Sequence, residues 1–146
     1  MRKNILIASL ICIFSFCSIP SVALDYSEED SVTILRDKWG IPHIIADNEK
    51  ALFYGAGYAA AEDRLFQMTL ARYSIQGRLA EILGKKYVER DKRVRTVGYY
   101  RHAERTLPML NEETQMWLEA YADGVNAYIK GHPEHLEEMF DQYGGA

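Results

Sequence analysis

Cysteine is scarce in this sequence, and the only two cysteines, Cys12 and Cys17, lie within residues 1–23. The rest of the chain therefore offers no disulfide and no thiol nucleophile. It also lacks a glycine-rich phosphate loop with Lys and Ser or Thr, and it lacks an HExxH zinc motif. Basic residues are outnumbered, with 17 Lys and Arg against 21 Asp and Glu for a formal charge of -4, so we expect no nucleic-acid partner. A hydrophobic fraction of 48% is nevertheless typical of a folded globular chain.

The first 23 residues have the pattern of a secretory signal peptide. Arg2 and Lys3 precede an uncharged apolar run over residues 5–16, and residues 21–23 are small or apolar and end in Ala23. We expect cleavage after Ala23, which leaves residues 24–146 as one domain in a secreted, periplasmic protein that has no membrane association once the signal is removed. The alternatives are a membrane anchor, which Pro20 disfavours, and a lipoprotein modified at Cys17, which the bulky preceding residues disfavour.

The mature chain opens with a pattern typical of a β-hairpin. Val32 and Ile34 alternate with polar residues, and an apolar run at residues 41–45 follows the tetrad DKWG. Gly40 suits the positive φ of a tight turn, and Pro42 suits an edge strand. We therefore predict two short strands joined at residues 37–40.

Helical signals dominate the remainder. Residues 47–48 offer a helix start, and the helix is predicted to break at Gly77 and to be followed by a short helix closed by Gly84. Two apolar stripes along the long helix predict burial on two sides, with one stripe partly exposed in this chain. The small residues around Gly55 and Gly57 predict close approach of another backbone. Further helices are expected up to about residue 107, from Asn111 to residue 131, and over residues 134–143. The predicted fold class is mainly α with a short N-terminal β-hairpin.

Few residues suggest chemistry. The nearest metal candidate is His132, His135 and Glu138, but Pro133 disrupts their helical register, and we expect a solvated helix start instead. His43 is either a proton shuttle or, as we favour, a structural histidine.

Two charged stretches also have a functional and a structural interpretation. Glu62, Asp63 and Arg64 could form an acid/base site, but a structural ion pair is favoured. The basic run over residues 85–95 contains interleaved acids, and it is predicted to be a surface segment with salt links rather than a nucleic-acid patch.

Several separated motifs resemble the penicillin acylase family. Residues 36–44 (RDKWGIPHI) resemble the family's opening strand and turn, and residues 62–68 (EDRLFQM) and 121–127 (YADGVNA) resemble later family motifs. Gly57, Arg72, Gly77 and Gly84 also follow the family's spacing. The residues expected to be structural family motifs are Arg36, Asp37, Gly40, Pro42, His43, Asp63, Arg64, Gln67, Gly124 and Asn126.

This resemblance implies an N-terminal nucleophile hydrolase. Such a protein is made as a precursor that cuts itself into an α chain and a β chain, and its fold is an α+β, four-layer αββα sandwich. The first residue of the β chain is a Ser, which attacks the amide carbonyl of a small N-acyl substrate, as in a β-lactam side chain or an acyl-homoserine lactone. A structural calcium is a common feature of the full-length parent.

The resemblance covers only part of an α chain. By this resemblance, the nucleophile, the pocket helix and the α-chain calcium ligand are expected beyond residue 146, so we assign no catalytic, substrate-binding or metal residue, and we expect no cofactor in this fragment. Its expected partner is the β chain of the same precursor. The other hypothesis is a stand-alone secreted helical binding module or inactive remnant. Asp63 and Arg64 are predicted to be buried, paired charges that tie their helix to neighbouring loops, rather than catalytic groups.

Overall fold

The structure is a computed structural model that describes residues 21–25 and 31–135, within which no helix is long and apolar enough to cross a membrane. The strands are β1 (Ser21–Asp25), β2 (Ser31–Arg36) and β3 (Pro42–Ala46). The helices are α1 (Glu49–Gln76), α2 (Ala80–Leu83), α3 (Val88–Val97), α4 (Tyr99–Thr106) and α5 (Glu112–Gly131), with 3-10 turns at Lys85–Tyr87 and Leu107–Met109. The mainly helical fold with an N-terminal hairpin is confirmed. Glu138, most of the leader and most of the predicted helix over residues 134–143 lie outside the described residues.

The three strands form one antiparallel sheet in the order β1-β2-β3. The predicted hairpin of β2 and β3 is confirmed, with Ile34 opposite Ile44 and with Gly40 in the turn at φ 79°. Strand β1 was not predicted from the sequence, which assigned Ser21–Ala23 only to the leader. In the structure, Ala23 pairs with Thr33 of β2. The buried face of β2 packs against α1 through Val32, which is 1% exposed.

Helix α1 begins and ends where its capping residues predict. The Asn48 side chain accepts a hydrogen bond from the Ala51 N–H at 2.9 Å, which satisfies a free donor of the first turn. The helix ends at Gly77, whose left-handed φ of 66° suits glycine. One break was not predicted: Arg64 has φ -140° and ψ 22°, so α1 is kinked there.

Helices α1 and α5 run in the same direction and touch backbone to backbone. Trp117 meets the start of α1, where its Nε1 donates to Glu49 at 3.1 Å, whereas Tyr128 packs further along α1 on Leu65. A Cβ placed on Gly57 would overlap the carbonyl oxygen of Tyr121. The prediction that the small residues of α1 permit close approach of a backbone is confirmed.

The basic stretch over residues 85–95 is helical, which sequence reasoning did not predict. It forms a 3-10 turn and most of α3, and it returns along α1. Asp91, only 5% exposed, accepts a hydrogen bond from the Ala80 N–H at 2.7 Å, and Arg95 donates to the Gly77 carbonyl at 2.8 Å. These two contacts hold α3 at the end of α1. The expected salt link within the stretch is present between Lys92 and Glu89.

Apolar surface remains uncovered in the described part of the chain. Ile45 on β3, Ile75 on α1 and Met109 after α4 are 59%, 51% and 81% exposed. Because Leu65 on α1 is buried while Ile75 is not, the predicted partial exposure of the apolar stripes is confirmed.

Candidate functional site

A network of charged side chains joins the hairpin turn to α1 just before its kink. Arg36, at the end of β2, places Nη2 2.5 Å from Glu62 Oε2 and 2.9 Å from Asp63 Oδ1. Its Nη1 donates to the Gly40 carbonyl at 2.7 Å. One guanidinium therefore binds two neighbouring carboxylates of α1 and the backbone of the turn, which fixes the hairpin against the helix.

The electrostatics of this network favour its charged form. The hydrogen bond to Glu62 raises the pKa of Arg36 above its ordinary value, desolvation opposes that change, and Asp63 adds to it. The side chains of Arg36, Glu62 and Asp63 retain 20%, 33% and 37% of their exposure. Solvent therefore weakens the pairing relative to a buried ion pair.

The predicted burial of Asp63 and Arg64 is wrong, whereas the predicted pairing that ties α1 to a neighbouring element is found for Asp63. Asp63 pairs with Arg36, and the side chains of Asp63 and Arg64 are both exposed in the described part of the chain. The pattern of charges inside an apolar helix correctly indicated a structural ion pair, but its cation comes from β2, 27 residues earlier. Arg64 instead provides the residue at which α1 kinks.

Asp37 organises the hairpin turn. Its Oδ1 accepts hydrogen bonds from the backbone N–H groups of Trp39 and Ile41 at 2.9 and 3.0 Å. Partial desolvation acts to raise the pKa of Asp37, but these bonds and a contact with His43 outweigh it, so the pKa lies below its ordinary value. His43 Nε2 lies 3.5 Å from Asp37 Oδ2. Sequence reasoning found no acidic partner for His43, because the turn alone brings the two side chains together.

An aromatic cluster closes the end of α5. Tyr128 is 3% exposed, its hydroxyl lies 2.6 Å from His135 Nδ1, and its ring stacks on His132 at 4.5 Å. Desolvation raises the pKa of Tyr128, and the negative charge of Glu62 contributes to the same shift. The described residues contain no group of three or more His, Cys, Asp or Glu side chains suited to a metal ion. Two members of the proposed metal set, His132 and His135, thus contact Tyr128.

Some of the remaining motif residues lie at contacts between elements, and others are exposed on the surface. Gly124 is buried, and a Cβ on it would overlap the Tyr54 carbonyl. Pro42 starts β3, whereas Gln67 on α1 and Asn126 on α5 are exposed. Ala23, after which we expect signal cleavage, lies in the middle of β1.

Two serines of the described residues have structural hydrogen-bond partners. The Ser31 hydroxyl donates to Asp47 Oδ2 at 2.6 Å, which ties β2 to the start of α1, and Ser74 Oγ accepts a hydrogen bond from Arg90. Neither serine has a histidine among its hydrogen-bond partners in the described part of the chain. The contact of Ser31 helps to position the hairpin on α1.

The sequence and the fold of this chain are similar to those of known acylases. A sequence model described as penicillin amidase matches residues 31–144, and the chain belongs to that family. It is 42% identical to the penicillin G acylase of Escherichia coli over 149 residues, covering 99% of this chain and 17% of that protein. It is 36% identical to an acyl-homoserine lactone acylase of Pseudomonas aeruginosa, covering 78% of this chain and 14% of that protein.

A solved structure agrees with the sequence comparisons. The thermostable penicillin G acylase from Alcaligenes faecalis superimposes with a TM-score of 0.67 and 39% identity, covering 74% of this chain and 57% of that one. The chain spans 17% and 14% of the length of these two curated relatives. The likeness thus extends over most of this chain but only a small part of those relatives.

Proposed function

We propose that this chain is the N-terminal part of the α chain of a secreted amidohydrolase that cleaves a linear N-acyl amide bond. Its relatives are a penicillin G acylase and acyl-homoserine lactone acylases, so both substrate classes are candidates. The observation that carries the proposal is the family match over residues 31–144, which includes both ends of the Arg36 network. The nucleophile and any structural calcium belong to the remaining polypeptide, the β chain of the same precursor. A relative named as a proenzyme supports such processing.

The role proposed for this chain is structural. Its hairpin, kinked α1 and parallel α5 form a scaffold whose uncovered apolar side chains, such as Ile45, bind the rest of the enzyme. The chain alone should therefore hydrolyse phenylacetyl, glutaryl and acyl-homoserine lactone amides only at the background rate. Turnover that persists through repeated purification of the isolated chain would contradict this assignment.

A chimera tests the scaffold role directly. The matching region of the Escherichia coli penicillin G acylase precursor is replaced by this chain, and amide hydrolysis and precursor cleavage are measured. We expect an active, processed enzyme, because the two sequences are 42% identical throughout this region. A chimera that folds, as judged by circular dichroism, but neither processes nor hydrolyses would instead favour a stand-alone binding module.

Export is the remaining element of the proposal. The leader supports secretion with cleavage after Ala23, which would leave Leu24 and Asp25 of β1 on the mature chain. Intact mass of the exported protein decides the point, with a mature chain starting at Leu24 expected. A chain starting at Met1, or one that carries a lipid on Cys17, would exclude this processing.

A further inference from the structure

A pocket lies where the end of α1 meets the joint between α3 and α4. It has a volume of about 240 Å³, and the residues that line it are Ile75, Gln76, Val94, Arg95, Gly98, Tyr100 and Arg101. This volume of about 240 Å³ equals that of about eight water molecules in the liquid. The pocket therefore suits a small ligand.

Three of the lining side chains are apolar or aromatic, namely Ile75, Val94 and Tyr100. Ile75 and Tyr100 are 51% and 44% exposed, so a ligand in the pocket would bury apolar surface that the three helices leave open. None of the residues of α4 is buried. A ligand here would therefore contact α4 where the packing of the chain itself is sparse.

Two guanidinium groups give the same pocket a positive charge. Arg95 Nε donates to the Gly77 carbonyl at 2.8 Å, and Arg101 Nη2 donates to the Arg95 carbonyl at 3.2 Å. These bonds hold both side chains on the backbone and leave further N–H donors on each guanidinium. A Cβ on Gly98 would lie 2.7 Å from Arg101 Nη2, so glycine at the joint leaves room for that group. No carboxylate of residues 21–25 or 31–135 lies within ion-pair distance of either arginine.

Two acids near Arg95 in the sequence have other partners. Glu81 accepts two hydrogen bonds from Arg78, at 2.8 and 2.6 Å, and Asp91 accepts one from the Ala80 N–H at 2.7 Å. Hydrogen bonding to Arg78 is the main cause of the lowered pKa of Glu81, and the charge of Arg95 is the smallest contribution to it. The positive charge at the pocket is therefore not paired with a carboxylate in the described part of the chain.

A carboxylate on a small apolar body matches both properties of the pocket. Guanidinium groups bind planar carboxylates through short, charge-assisted hydrogen bonds. Gln76 Oε1 accepts a hydrogen bond from Arg78 at 3.2 Å, which leaves the amide nitrogen of Gln76 as a further donor. Inorganic phosphate would satisfy the same donors, but it would bury none of the apolar surface of Ile75 and Tyr100.

We propose that this pocket binds a small carboxylate whose apolar or aromatic body lies between Ile75, Val94 and Tyr100. Its carboxylate accepts hydrogen bonds from Arg95 and Arg101. The ligand bridges α1, α3 and α4, and no covalent bond is formed or broken. The site does not depend on the proposed amide hydrolysis, although the acid that such hydrolysis releases belongs to this class of ligand.

Fluorine NMR of the 146-residue chain with 4-fluorobenzoate tests the proposal. The ligand resonance should shift or broaden in a saturable manner, with a Kd on the order of 1 mM for so small a ligand. 4-Fluorobenzyl alcohol has the same body without the charge, and it should bind at least about tenfold more weakly. Equal binding of the alcohol would overturn the proposal, because apolar surface alone would then hold the ligand. Inorganic phosphate that competes as well as 4-fluorobenzoate would also overturn it, because the apolar walls would then contribute nothing.

A pair of arginine variants locates the site. Arg101→Gln removes one guanidinium from the pocket and should weaken the binding of 4-fluorobenzoate about tenfold. Arg105→Gln is the matched control, because it makes the same change of charge at an exposed residue of α4 that does not line the pocket. It should bind the ligand as the unaltered chain does. An equal loss in both variants would contradict the proposal, since the general charge of the surface would then explain the binding.

A second pair tests the site without removal of a cation. Ile75→Glu supplies a carboxylate at the wall of the pocket, where it can pair with Arg95 or Arg101, and it should abolish binding of 4-fluorobenzoate. Ile75→Gln has the same size without the charge and should retain most of the binding. Because Ile75 is 51% exposed, both variants should fold, which circular dichroism checks. Unchanged binding in Ile75→Glu would place the ligand elsewhere and would overturn the proposal.

Discussion

The close contact of α1 and α5 predicts how alanine substitutions at three glycines change the stability of the chain. Gly57→Ala and Gly124→Ala each add a Cβ where the facing main chain already lies, against the carbonyl of Tyr121 or of Tyr54. A carbonyl oxygen within a helix cannot rotate away as a side chain can. Either substitution must therefore push the two helices apart.

Two opposing effects set the magnitude. Alanine gains about 0.5–1 kcal/mol over glycine inside a helix. Forcing an extra carbon into a close-packed contact costs about 1–3 kcal/mol, and the upper end applies here because main chain meets main chain. We expect each substitution to lower the free energy of unfolding by about 1–2 kcal/mol net. The double substitution should cost less than the sum, because the first already separates the same pair of helices.

Gly131→Ala is the matched control. Gly131 is the last residue of α5, and a Cβ there would meet nothing within 4 Å. This substitution should be neutral or should stabilise by at most about 1 kcal/mol.

Urea unfolding supplies the measurement. Trp117 stacks on Phe53 at a centroid distance of 5.2 Å in the same helix contact, so its fluorescence reports on the separation of the helices. A loss of about 1–2 kcal/mol should lower the midpoint by about 1 M. Gly57→Ala and Gly124→Ala variants as stable as Gly131→Ala would refute the close packing of α1 against α5.

Three further predictions follow from the ion pairs and the exposed surface. Arg36→Met should destabilise the chain by about 1 kcal/mol, because two carboxylates lose their partner at a partly exposed site, whereas Arg64→Met should have no measurable effect in urea unfolding. Hydrogen bonds from Ser31 lower the pKa of Asp47, so their contribution to stability is present above the unfolded pKa and is lost as the pH falls through the folded pKa. Ser31→Ala should therefore reduce the acid dependence of unfolding. An unchanged dependence of unfolding on pH would contradict this prediction. The isolated chain should bind a hydrophobic dye or form oligomers, as checked by fluorescence and light scattering, and a dye-silent monomer would contradict the exposed apolar surface.

Most of the features that the sequence predicted are local ones, with the close approach of a backbone at Gly57 as an exception. Asn48 caps a helix and Gly77 ends one through interactions within four residues, so the residue type and its neighbours suffice to place them. The pairing of Arg36 with Asp63 spans 27 residues, and it depends on how the hairpin lies on α1. The residue type does not predict the kink at Arg64, because arginine is a good helix former.

The motif residues that carry the family resemblance divide by what they contact. Asp37 accepts hydrogen bonds from N–H groups of its own turn, and Arg36 joins that turn to α1. Gly124 allows the backbones of α1 and α5 to lie in close contact. Each of these residues is explained within the described part of the chain. Gln67 and Asn126 are exposed, and a role within this scaffold does not account for them. If the chain is one part of a larger hydrolase, as we propose, exposed motif residues belong where the remaining polypeptide docks, because they contribute little to the stability of this part alone.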